Sequence, residues 1–278
     1  MSDLIFDIKE FALHDGAGLR TTVFFKGCPM RCVWCHNPES HSFFRQTAKN
    51  ESKCVHCGLC ERKCSHEECK GLGVCVKVCP NNCVRAVGEE FTPEKLVETL
   101  NKNRYFIKKG GVTFSGGEPL CHTDFILKTI PLLGDIKTAV ETCGYADKAD
   151  FIRAIDALDD IFMDIKLIDE TEHIKYTGKS NKIILENAGY ILSSGRKATF
   201  RVPLIPGITD TDENLTGIAE FLKKGRENIK VELIPYNRLT GAKYKSVGRE
   251  YNPPFDETAP LNKNTGIFEK NGIHAEAF

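Results

Sequence analysis

The sequence is poor in tryptophan and methionine, with one and three residues in 278, and it carries no net charge, since 38 basic residues balance 38 acidic ones. That balance removes the usual electrostatic basis for binding nucleic acid or an anionic membrane surface. No run approaches the ~18 consecutive apolar residues of a bilayer-spanning helix. The opening stretch, MSDLIFDIKEFALHDG, lacks a basic segment followed by an apolar one, so no secretory signal is expected. These absences predict a soluble, cytoplasmic, monomeric protein with neither nucleic acid nor membrane as partner.

Cysteine, by contrast, is abundant. There are thirteen, and they are clustered: three at 28–35, eight at 54–83, with Cys121 and Cys143 alone. In a cytosolic chain such clusters are metal ligands rather than disulfides. The two lone residues are expected to be small buried apolar groups.

Hydrophobic residues make up 41% of the chain, enough for a sizeable core. Short apolar strands are predicted at 21–25, 111–115, 137–141, 161–165, 198–203 and 229–235. Helices are predicted between them at 92–108, 124–133 (strained by Pro131), 149–158, 183–193 and 212–224. Thr92-Pro93-Glu94 supplies a cap, a proline at the first helical position and an acid in the first turn. Strands alternating with amphipathic helices give an α/β chain with a parallel sheet. Six units are too few for a closed eight-stranded barrel. The expected fold is a partial (β/α)6 barrel of the TIM type, formed by 1–50 and 88–278. Residues 51–87, where apolar periodicity disappears, read as a small cysteine-rich insert held by metal. Chemistry belongs at the carboxyl ends of the strands.

The first strand runs into Gly27-Cys28-Pro29-Met30-Arg31-Cys32-Val33-Trp34-Cys35, with the spacing C-x3-C-x2-C. Three thiolates on one loop hold three irons of a 4Fe–4S cube and leave the fourth for another ligand. Zinc is the competing reading, with His36 as fourth ligand; its adjacency to Cys35 fits one tetrahedron poorly. Ser115-Gly116-Gly117-Glu118-Pro119 ends the second strand. Its glycines would let the backbone approach a ligand, and Glu118 would accept from an ammonium group. The competing reading is an ordinary Gly-Gly turn.

These residues resemble the radical S-adenosylmethionine superfamily. Gly16-Ala17-Gly18-Leu19-Arg20, Phe24, Gly27, the three cysteines and Asn37 further resemble the signature of glycyl radical enzyme activating enzymes. Where that family usually has proline, this chain has Ala17, which loosens the loop without removing a chemical group. The resemblance implies that Gly116, Gly117 and Glu118 meet the methionine amino group of S-adenosyl-L-methionine. Asp164-Ile165-Lys166 corresponds to a D-x-K motif whose lysine lies near the cofactor carboxylate. Glu141 stands for an acid that, with the motif's aspartate, holds a monovalent cation in the best-known member. Here it is one methylene longer than the family's aspartate. Arg201, before Val202-Pro203-Leu204-Ile205-Pro206-Gly207, corresponds to a cofactor-binding arginine suited to a carboxylate. Asn237, in Ile234-Pro235-Tyr236-Asn237, replaces a histidine and keeps hydrogen bonding without ring protonation. Trp34 would pack either on adenine or in the core.

The insert opens with Cys54-x2-Cys57-x2-Cys60-x3-Cys64, the bacterial ferredoxin run without its terminal proline. Cys69, Cys75, Cys79-Pro80 and Cys83 follow at less regular spacing. Eight cysteines favour two auxiliary 4Fe–4S clusters over one, and a zinc ribbon is the minority reading. The resemblance implies an enzyme that reductively cleaves S-adenosylmethionine to a 5′-deoxyadenosyl radical. That radical would abstract hydrogen from a glycine Cα of a partner glycyl radical enzyme, with flavodoxin or ferredoxin as electron donor. Two alternatives remain: a radical enzyme acting on a small molecule or another protein's side chain, and a pure electron carrier.

Overall fold

The computed structural model describes residues 2–13, 15–60 and 74–278; of Val74 and Cys75 it describes the backbone alone. Cys64 and Cys69, and the thiol of Cys75, lie outside the described residues. The strands are β1 (Asp3–Ala12), β2 (Arg20–Phe25), β3 (Gln46–Lys49), β4 (Val84–Val87), β5 (Glu89–Phe91), β6 (Gly111–Gly116), β7 (Thr138–Thr142), β8 (Asp160–Asp164), β9 (Ala198–Leu204), β10 (Ile229–Pro235) and β11 (His274–Ala277). The helices are α1 (Val74–Val78), α2 (Pro93–Asn101), α3 (Arg104–Ile107), α4 (Thr123–Leu133), α5 (Lys148–Ala157), α6 (Glu170–Thr177), α7 (Lys182–Ser194), α8 (Asp212–Leu222), α9 (Thr240–Ser246) and α10 (Gly266–Glu269). Among the described residues, no helix is long and apolar enough to cross a membrane.

Nine strands form one sheet in the order β11-β10-β9-β8-β7-β6-β2-β1-β5. From β11 to β2 every pairing is parallel, while β1 and β5 join antiparallel at the β2 side. The six predicted strands are all present, in sequence order from β2 to β10. Their two faces differ in chemistry, as the period of two requires. Val23, Phe25, Phe114, Val140, Met163, Phe200 and Val231 are buried in the apolar core with Phe125, Phe151 and Leu215 of α4, α5 and α8. The alternate residues Asp160, Phe162 and Asp164, then Thr199 and Arg201, then Lys230 and Glu232, line a cleft instead. Among the described residues, β3 and β4 pair only with each other, in a separate two-stranded ladder at the base of the cysteine-rich segment.

Local signals set the helix boundaries. Thr92, Asp147, Asp169 and Thr211 each cap the first turn of a helix with a side-chain oxygen. The predicted helix at 92–108 is two: it breaks at Asn103, whose amide donates to Glu10 Oε1 at 2.5 Å and ties α3 to β1. The helix carrying Pro131 forms all the same, with the proline in its last turn. Arg20, 1% exposed, joins the start of β2 to its neighbours by donating to Thr113 Oγ1, Gly110 O and Val112 O.

Candidate active site

The cysteine loop leaves β2 at Gly27, where φ is +107° and a Cβ would strike the Phe43 ring at 2.3 Å. Glycine is therefore required there for both conformation and space. Backbone bonds then fix the loop from several sides. Gly27 N–H donates to Ser40 O at 2.7 Å, Arg31 N–H to Thr177 O at 2.7 Å and Val33 N–H to Tyr176 O at 3.0 Å. The last two bonds come from the carboxyl end of α6, a helix that sequence reading did not find. Cys28 and Cys32 are buried and Cys35 half-buried. Burial, the neighbouring Cys32 and Cys35 thiols and Glu118 push the Cys28 thiol well up; burial and Cys32 push Cys35 up to about 12. Loading a metal here must displace the thiol protons.

Three thiols on one loop, two of them buried and the third half-buried, fit a cube bound through three of its irons.

The loop faces a cleft of about 920 Å³ that runs from the carboxyl ends of the strands to Asp160, Thr199 and Lys230 near their amino ends. Trp34, Gly116, Gly117, Glu141, Asp164, Lys166, Arg201 and Asn237 all line it with the three cysteines. Lys166 Nζ pairs with Asp164 at 2.6 Å. Burial works against its charge, but Asp164 and Cys32 outweigh this and raise its pKa. Arg201 is held between two carboxylates, Glu141 at 2.5 Å and Glu232 at 2.9 Å, and stacks on Phe162 at 4.3 Å. Glu232, which also pairs with Lys230 at 2.7 Å, was not singled out in the sequence. Its position two residues before Ile234 on β10 was the available signal. Glu141 is engaged by Arg201, not left open toward Asp164. Asn237 spends its Oδ1 on Leu239 N–H at 2.9 Å.

Two expectations need correction. Glu118 is fully buried and does not line the cleft. Its carboxylate accepts from Leu120 N–H at 3.0 Å, Thr142 Oγ1 at 2.6 Å and Cys143 N–H at 2.8 Å. It caps a turn and ties β7 to β6, so its oxygens are committed within the protein. The glycines also have another reason to be there. A Cβ at Gly117 would lie 2.2 Å from Gly27 O, and one at Gly116 2.3 Å from Phe25 N and O. Main chain, not ligand, is what presses on them. Gly117 N–H donates to Phe25 O at 2.8 Å and Glu118 N–H to Gly27 O at 2.9 Å. Trp34 belongs to the core, 6% exposed and tilted on Tyr176, with an edge on the cleft. Of the lone cysteines, Cys121 is exposed, not buried as expected, and Cys143 is half-buried on the cleft wall.

In the second cysteine-rich segment, Cys54, Cys57, Cys60, Cys79 and Cys83 line one small cavity of about 100 Å³. Cys79 Sγ and Cys83 Sγ are 3.2 Å apart.

Comparison with known proteins agrees with this geometry. Residues 22–221 match the model of the Radical SAM superfamily. The chain is 39% identical over 276 residues to the trans-4-hydroxy-L-proline dehydratase activating enzyme of Clostridioides difficile, covering 90% of each chain. It is 36% identical over 272 residues to the choline trimethylamine-lyase activating enzyme of Oleidesulfovibrio alaskensis, covering 89% of this chain and 88% of that one. A radical SAM methyltransferase from Sphaerobacter thermophilus, 16% identical, shares the fold with a TM-score of 0.52 over 93% of this chain and 66% of its own. Three thiols on one loop, the charged cleft they share and these relatives agree: the chain belongs to the radical SAM superfamily and, within it, to the activating enzymes of glycyl radical enzymes.

Proposed function

We propose that this protein activates a glycyl radical enzyme by removing one hydrogen atom from a glycine Cα of that partner. The observation that carries the reading is the sharing of one cleft by the thiols of Cys28, Cys32 and Cys35 and by the cations Lys166 and Arg201, brought from separate strands. When bound, a 4Fe–4S cluster and S-adenosyl-L-methionine supply the electron and the 5′-deoxyadenosyl radical for this abstraction. Cys28, Cys32 and Cys35 hold the cluster. Arg201 and Lys166 meet the carboxylate end of the cofactor, exchanging contacts they now make with Glu141, Glu232 and Asp164. Gly116 and Gly117 present main-chain groups to its amino end. Trp34 and Asn237 bound its nucleoside side, and the cleft walls exclude water. Glu141 and Asp164 are candidates for a monovalent cation.

The finer parts of the reading rest on separate support. Residues from both ends of β8, β9 and β10 line a single cleft, which favours a sheet curved into a partial (β/α)6 barrel. Five cysteines around one small cavity favour a cluster held by Cys54, Cys57 and Cys60 with Cys79 or Cys83, and a second using Cys64, Cys69 and Cys75. A flavodoxin or ferredoxin suits as reductant, and the protein acts as a cytoplasmic monomer.

The test is product analysis after anaerobic reconstitution, with dithionite, S-adenosylmethionine and candidate glycyl radical enzymes. The expected result is 5′-deoxyadenosine together with a glycyl doublet in the electron paramagnetic resonance spectrum of one partner. Deoxyadenosine with no partner signal, but with a modified small molecule, would favour the small-molecule alternative.

A further inference from the structure

Three aromatic rings stand in mutual contact on the surface beside the cleft. Phe11 meets Phe106 edge-on at 5.3 Å, and Phe106 meets Tyr105 at 5.5 Å. They are 48%, 45% and 74% exposed, and Leu13, 68% exposed, extends the patch along the chain. Leu13 also lines the cleft, together with Asp15, Gly16 and Ala17. Apolar surface of this kind, continuous with a binding cleft, is what interaction sites present.

The fold works to expose these rings. Phe11 adopts φ +59°, a left-handed conformation that a bulky residue avoids. It sits in a bulge: Lys9 pairs with Thr22 and Ala12 with Arg20, so three steps along β1 oppose two along β2. Bulges re-aim side chains, and this one turns Phe11 toward solvent. On the other side, the break at Asn103 starts α3 in a new direction. Ile107 then enters the core while Tyr105 and Phe106 face outward. The Asn103–Glu10 bond at 2.5 Å fixes the two elements to each other. Lys109 Nζ stands 5.8 Å from the Tyr105 ring centroid, and exposed Lys102 lies just before α3, while Lys108 is taken up by Asp135 at 3.0 Å. A left-handed conformation held at a half-exposed aromatic residue is the kind of backbone outlier that clusters at binding sites.

We infer that Phe11, Leu13, Tyr105 and Phe106 form the docking surface for the protein substrate. They would receive an apolar segment flanked by acidic residues, next to the entrance through which the target glycine reaches the cleft. This deepens the proposed function and rests on it. Aromatic anchors at the centre of a patch and a charged rim are the usual anatomy of such a contact.

The experiment uses reconstituted full-length protein and the glycyl radical enzyme on which the wild type generates a glycyl signal. The variant Phe11→Ser/Tyr105→Ser/Phe106→Ser should bind that enzyme at least about tenfold more weakly by calorimetry. It should keep the wild-type rate of S-adenosylmethionine cleavage measured without partner, and its iron content. Phe11→Gly relieves the strained φ, so it should unfold at the same or a higher temperature while still losing partner affinity. Unchanged affinity in both variants, with glycyl radical still formed, overturns the docking surface and leaves the function standing. Concentration-dependent dimerisation of wild type that the triple variant abolishes, with partner affinity intact, also overturns it by making the patch a self-contact. A wild type that forms a glycyl radical on no partner overturns the functional reading itself.

Discussion

The two cysteine-rich regions of this molecule are built on opposite principles. The loop of Cys28, Cys32 and Cys35 is held by backbone bonds to Ser40, Tyr176 and Thr177, and its sulfurs face a cleft that the sheet defines. The segment of Cys54, Cys57, Cys60, Cys79 and Cys83 has little apolar support. Its satellite core consists of Cys83 and Val84 with Cys54, Cys60, Val76 and Cys79. The first region takes its geometry from main-chain bonds to the rest of the fold. The second, among the described residues, has sulfur where a core would be, and the auxiliary metal proposed for it would supply much of its stability.

Removing sulfur from each region tests that contrast, and the largest effect is expected at the loop. Cys32→Ala should abolish S-adenosylmethionine cleavage outright, because two thiolates cannot hold the site-differentiated cube. Far-ultraviolet circular dichroism should stay native; retained deoxyadenosine production would remove the central assignment. Replacing Cys54, Cys57 and Cys60 together by alanine should lower iron by about one cube and speed proteolytic cutting between β3 and β4. Iron and sulfide analysis giving the wild-type value would show that these cysteines bind no cluster.

The support of the loop gives finer tests. Gly117→Ala places a methyl against Gly27 O, so iron content and cofactor affinity should fall together in titrations of reconstituted protein. Retention of both would mean the two turns can separate. Arg201→Ala should weaken cofactor binding by roughly 1.5–3 kcal/mol, about ten- to a hundredfold, with iron intact. It also leaves Glu141 and Glu232 short of a cation, so unfolding free energy should drop by about 3 kcal/mol. Arg201→Ala with wild-type affinity would reduce the residue to a structural role. Glu118→Gln should have the smallest effect, a stability loss of about 1–3 kcal/mol with cofactor affinity unchanged. One oxygen acceptor becomes an amide donor, which faces either Cys143 N–H or the pair Leu120 N–H and Thr142 Oγ1. A loss of affinity larger than the loss of stability would return Glu118 to the cofactor.

Much of this was legible in sequence where the determinants are local. The six parallel strands showed as apolar runs, and the cysteine loop showed because three thiols fall within eight residues. β11 stayed hidden because His274-Ala275-Glu276-Ala277 is short and polar, and pairs only because β10 offers an edge. α6 stayed hidden because Glu170–Thr177 is mostly polar, yet its end braces the cysteine loop. Glu118 was misplaced for a similar reason. Nothing nearby in the chain tells a ligand-facing carboxylate from one that accepts from a strand 24 residues away. Arg201 was identified, but its partners Glu141 and Glu232 are 60 and 31 positions distant, a pairing only the sheet register creates.

The contact between Gly27 and Gly117 has a kinetic meaning as well as a structural one. Two turns far apart in sequence are joined main chain to main chain, with no side chain between them to act as a spring. A molecule held at one end by the cysteine loop and at the other by the Gly-Gly turn meets a fixed span. Its freedom of translation and rotation is surrendered once, on binding, and no search over loop conformations remains when the bond breaks. Effective molarities above ~10⁵ M are reached only when reacting atoms are held this rigidly. A radical that would attack the nearest C–H bond needs such a frame, because selectivity then lies in where it is released and not in what it can react with.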